Sequence, residues 1–156
     1  MSESIKYQNL SRGIIISALI TYIVYLIISI ASILVGFVLF RGFFLFADVQ
    51  FAIGNIVGNI YFIRNKRPEE SFLKNCVTIG IVGGILSALF ISVYQWILFL
   101  SIDFFFLYLV NGLISGFFVG LLVGVIISVY AMYKIAKSES PEDKEVDEFF
   151  KDLVED

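Results

Sequence analysis

The chain has 156 residues, 59% of them hydrophobic and 16% charged, with a formal net charge of −3 and no histidine. A soluble domain carries about 45–50% apolar residues, so this composition excludes an ordinary water-soluble fold and asks for lipid around the polypeptide. The lack of histidine excludes imidazole metal ligands, Ser-His-Asp triads and histidine proton relays, and the single cysteine, Cys76, excludes an internal disulfide and reads as a small packing residue.

The net charge hides a division. Residues 1–137 hold nine Lys and Arg against five Asp and Glu, a balance of +4, whereas 138–156 hold two against nine, a balance of −7. The sequence therefore divides into a four-span domain, 1–137, and an acidic tail, 138–156.

Residues 1–12 form a polar lead carrying Lys6 and Arg12. The first apolar run, 13–40, is longer than the ~7–15-residue core of a cleaved signal peptide and reads as a retained span. Gly13, Ser17 and Thr21 recur along it at intervals of four. Arg41 alone marks the turn that follows. The second run, 43–63, is the most polar, with Asp48, Gln50, Asn55 and Asn59. Asp48, Ala52, Asn55 and Asn59 follow one another at four, three and four residues, so they share one helical face directed at the bundle or at a partner. Asn111 and Ser115 on the fourth run are the expected hydrogen-bond partners of that face. Asp48 lies seven residues beyond Arg41, within reach of it or of interfacial water.

The connection 64–74 is basic, with Arg64, Lys66, Arg67 and Lys74, and Pro68, Glu69 and Glu70 are expected to open the third helix near the positive end of its dipole. The third run, 72–100, carries Cys76, Gly80, Gly84, Ala88 and Ser92 on one stripe. Asp103 reads as a helix-start residue of the fourth run, 104–133, in which Gly112, Gly116, Gly120, Gly124 and Ser128 recur at intervals of four. With Gly54 and Gly58 on the second run, these stripes predict glycine-zipper contacts in which helix backbones approach closely. Each run suffices to cross about 30 Å of hydrocarbon at ~1.5 Å per residue.

Basic residues alternate between the two ends of the runs, with none between the third and fourth, and Lys134 and Lys137 following the fourth. The positive-inside rule then puts both termini and the 64–74 loop in the cytoplasm of a multi-pass cell-membrane protein. Aromatic residues, among them Phe40, Phe43, Trp96, Phe99 and Phe104 to Phe106 at one end and Tyr61, Tyr130 and Tyr133 at the other, fall where interfacial belts are expected. A shift of 70 aligns Gly13, Ser17, Ala18, Gly54 and Ile56 with Gly83, Ser87, Ala88, Gly124 and Ile126, which suggests two tandem helical hairpins related by a pseudo-twofold axis along the membrane normal. In the tail, Pro141 follows Ser140 and precedes Glu142 and Asp143, a second helix start, and Val146, Phe149, Phe150, Leu153 and Val154 make the stripe of an amphipathic cytoplasmic helix. Its remaining faces are acidic, which suits a protein partner better than anionic lipid.

From Gly54 to Leu89 the glycines of the second span, the basic loop ending in Pro68, Glu69 and Glu70, and then Gly80, Gly83, Gly84, Ser87 and Ala88 resemble small glycine-rich four-span membrane proteins of prokaryotes, a group of uncharacterised function. The resemblance covers the spans without the tail and implies a topology, with no functional residue attached.

The fold class expected is all-α, an integral membrane four-helix bundle. The function expected is that of a non-enzymatic accessory, scaffold or assembly subunit, with no cofactor, metal or nucleic acid, a homo-oligomer or membrane complex as its setting, and a cytoplasmic protein on its tail. The alternative is a small oligomeric transporter or channel with Asp48 and the polar face of the second span in its pathway, which a change of flux in Asp48→Asn would favour. Enzymatic hydrolysis lacks machinery, since Ser17, Ser87 and Cys76 have no histidine base and no span holds two acids.

Overall fold

The computed structural model describes residues 3–35, 43–65 and 71–138. They form four helices, α1 (Glu3–Val35), α2 (Phe43–Asn65), α3 (Phe72–Phe99) and α4 (Ile102–Ser138), and no strand occurs among the described residues. Three of them are long and apolar enough to cross a membrane, over Gln8–Ala31, Phe72–Phe99 and Ile102–Ile135. The second helix has 23 residues and carries Asp48, Gln50, Asn55, Asn59 and Arg64 among them.

The ends of the helices differ from the sequence reading in ways with local causes. α1 begins at Glu3, so the polar lead is itself helical, and its Asn9 amide donates to the Asn65 carbonyl at the end of α2 at 2.7 Å. α3 begins at Phe72, with Ser71 extended (φ −69°, ψ 124°) ahead of it and the Asn75 N–H reaching the Ser71 carbonyl at 3.3 Å. Pro68, Glu69 and Glu70 lie outside the described residues, as do Phe40, Arg41 and the tail with Val146, Phe149, Phe150, Leu153 and Val154. α3 stops because Leu100 turns left-handed (φ 51°), its N–H closing on the Trp96 carbonyl at 2.8 Å. Asp103 then falls in the first turn of α4. Rings brace this turn, with Phe99 stacked on Phe104 at 4.5 Å and Trp96 edge-on to Phe105 at 6.4 Å.

α3 and α4 run antiparallel, pairing Cys76 with Gly124, Gly80 with Gly120, Gly84 with Gly116 and Ala88 with Gly112. α1 and α2 are also antiparallel, pairing Gly13 with Gly58 and Ser17 with Gly54. α1 lies parallel to α3, where Gly13 meets Ile79 and Ser17 meets Gly83. α2 lies against the other three helices, as does α3, while the backbones of α1 and α4 do not approach each other among the described residues. The cross-section is therefore a rhombus with α2 and α3 on its short diagonal. Helices in the middle have the least surface left for lipid or water, which is why α2 can carry so many polar residues. The rhombus departs from the twofold suggested by the sequence, since the close backbone approach of α2 and α3 has no α1–α4 counterpart and Gly13 and its equivalent Gly83 face different neighbours.

Candidate functional site

Between the helices the interior is layered. Near the start of α1, Phe62, Cys76 and Ile79 are buried with Leu10, Ile14 and Ile63 packed on them. Toward the α3–α4 turn, Tyr25, Phe51, Ala88 and Ile91 form a second apolar cluster ringed by Tyr22, Tyr94, Tyr108, Leu113 and Val119. The layer between them is polar. Ser17, Thr21, Asn55, Asn59 and Ser87 are all fully buried there.

Ser17 sits at the junction of three helices. Its hydroxyl donates to Asn55 Oδ1 at 2.6 Å, and its Cβ would lie 2.8 Å from a methyl placed on Gly83. Gly54 and Gly58 allow this arrangement. A methyl on Gly58 would come 2.6 Å from the Gly13 carbonyl oxygen, and one on Gly54 would run into Ser17 and Thr21. Most other hydroxyls turn back onto their own helix, Thr21 to the Ser17 carbonyl (2.9 Å), Ser87 to Gly83 (2.6 Å) and Ser92 to Ala88 (2.6 Å). This i−4 bonding satisfies a hydroxyl in an apolar setting without a partner helix. Asn59 does the same with its amide, donating to the Asn55 carbonyl at 2.9 Å.

Among the described residues, four buried atoms have no hydrogen-bond partner, namely Asn55 Nδ2, Asn59 Oδ1, Gln95 Oε1 and Ser128 Oγ. Above the polar layer, the Gln95 amide donates to the Tyr25 hydroxyl, joining α3 to α1. Tyr94 lies edge-on to both Tyr25 (6.0 Å) and Tyr22 (6.4 Å).

The residues predicted from sequence separate into distinct groups. Gly80, Gly84, Gly112, Gly116, Gly120 and Gly124 meet across the α3–α4 contact, and Gly54 and Gly58 meet α1. Asn55 and Asn59 are buried together, but the side-chain partner of Asn55 is Ser17 on α1, whereas Asn111 is exposed on α4. The expected pairing with Asn111 is thus replaced, because α4 presents its glycine face to the bundle and Asn111 precedes Gly112 by one residue, about 100° around the helix. Asp48 lies in α2, and its side chain is not among those described. Tyr25 and Gln95, which link α1 to α3, are interior residues that escaped the sequence reading. The signal for Gln95 was present, since it continues the Gly84, Ala88, Ser92 stripe by one more turn.

The layer has no nucleophile beside a base, and no group of three His, Cys, Asp or Glu able to hold a metal occurs among the described residues. Its chemistry is that of neutral donors and acceptors joining helices. No protein-family model, curated protein or solved structure matches the chain.

Proposed function

We propose that this chain is a non-enzymatic integral membrane protein, an accessory or scaffold subunit of the cell membrane. In this reading all four helices cross the bilayer, both termini lie in the cytoplasm, and the acidic tail recruits a cytoplasmic protein through Val146, Phe149, Phe150, Leu153 and Val154. The observation that carries it is the inside-out distribution of polarity. The outer faces of α1, α3 and α4 present Ile23, Ile27, Phe90, Ile97, Ile114, Phe118 and Ile126 to the surroundings, while Ser17, Asn55, Asn59 and Ser87 are buried. Apolar surface of that extent is stable only in hydrocarbon or under a partner.

The close glycine contacts favour a rigid subunit over a moving one. α2, the most polar helix, fits as a span because the other three surround part of its polar face. Carbonate extraction of membranes followed by purification in mild detergent tests the proposal. The full chain should stay in the carbonate-resistant membrane fraction and bring a cytoplasmic protein with it, and truncation at Ser138 should release that protein while leaving the chain in the membrane. Extraction by carbonate, or recovery of the same partners by the truncated chain, would refute it.

A further inference from the structure

α4 occupies an outer corner of the rhombus, and one stripe of its free surface has a regular spacing. Phe104, Leu107, Asn111, Ile114 and Phe118 follow one another at three, four, three and four residues, and all five are exposed. That is the a/d seam of two heptads, with Phe104, Asn111 and Phe118 at a and Leu107 and Ile114 at d. An isolated helix facing lipid gains nothing from such a pattern, and an amide placed between apolar neighbours on both sides along the axis loses its water without a replacement.

We propose, resting on the membrane-spanning reading above, that this seam is the interface with a second copy of the same chain, a parallel dimer whose twofold axis lies along the membrane normal. The amide selects this occupant. Asn111 is both donor and acceptor, and in such a dimer its symmetry mate stands at the same depth, so each carboxamide meets one that complements it. A single asparagine at an a position sets register and parallel orientation, while Leu107, Ile114 and Phe118 supply the packing. The 3-4 spacing corresponds to crossing near +20°, the angle of left-handed helix pairs in membranes. The opposite corner, α1, exposes Ile15, Leu19 and Ile23, with no amide among them.

Single cysteines in a Cys76→Ala background, oxidised in native membranes of cells making the full chain, test the interface. Ile114→Cys and Leu107→Cys should cross-link to a species of twice the chain mass, and Ile23→Cys on the opposite corner should not. In detergent titrations Asn111→Leu should weaken self-association by roughly threefold to tenfold, and Asn111→Gln should restore part of it. Asn111 is exposed in the single chain, so its replacement leaves the fold intact, which an unchanged melting profile of the monomer checks. A chain that stays in carbonate-washed membranes but yields no homodimer, cross-links through Ile23→Cys as readily, or cross-links only to a different protein overturns the interface while leaving the membrane reading standing. A chain released by carbonate overturns the reading beneath it.

Discussion

The hydroxyl of Ser17 is the point at which three helices are held together, and its chemistry gives a direct expectation. Ser17→Ala removes the donor to Asn55 Oδ1 and leaves a buried carbonyl without its partner. Interhelical hydrogen bonds in membranes contribute about 0.6 kcal/mol on average and up to about 1.7, so unfolding in mixed micelles should show a loss within that range. A Ser17→Ala chain as stable as the parent would mean that Asn55 is satisfied elsewhere. The inward face of α2 was legible from residue spacing alone, since Asn55 and Asn59 share a side of any helix. The partner was not. Periodicity says which residues lie on one face, whereas the neighbour met there depends on how the helices are arranged around the bundle, and that arrangement brings Ser17 to Asn55 and turns Asn111 outward.

At the scale of the helix, glycines of similar spacing differ in what surrounds them. A methyl on Gly80 or Gly120 would run into the backbone of the facing helix, and backbone cannot step aside without moving the whole contact. At Gly13 the nearest obstacle is a side-chain end, the Cδ1 of the buried Ile79 at 2.8 Å, and the nearest backbone atom, the Gly58 carbonyl oxygen, stands farther off at 3.3 Å. Gly80→Ala and Gly120→Ala should therefore destabilise the protein by about 1–3 kcal/mol, despite the better helix propensity of alanine. Gly13→Ala should cost less than either, under about 1 kcal/mol, in the same denaturation assay. Equal costs at all three sites would contradict the contacts described. The turn offers the opposite test. Leu100 adopts φ 51° and is largely exposed, so Leu100→Gly relieves a left-handed strain of about 1 kcal/mol and should raise the melting temperature. A lowered temperature would show that the Leu100 side chain matters more than its backbone. The glycine stripes could be read from the sequence because a four-residue interval is a helix period. The left-handed Leu100 could not, since leucine carries no signal for that conformation.

For the whole molecule, polarity is inverted, with Ser17, Asn55, Asn59 and Ser87 inside and many isoleucine and phenylalanine side chains outside. Four runs of suitable length were visible in the sequence, and α2 was already marked as the odd one by Asp48, Gln50, Asn55 and Asn59. Its position on the short diagonal, against all three other helices, was not visible, because neither hydropathy nor spacing reports which helix lies in the middle. The most direct test is the accessibility of single cysteines to an impermeant thiol reagent, in intact cells and after permeabilisation, in a Cys76→Ala background. Four crossings with cytoplasmic termini predict that Ser101→Cys reacts in intact cells, while Ser2→Cys, Ser71→Cys and Asp156→Cys react only once the membrane is opened. Reaction of Ser2→Cys and Asp156→Cys from opposite sides would contradict an even number of crossings and the bundle built upon it.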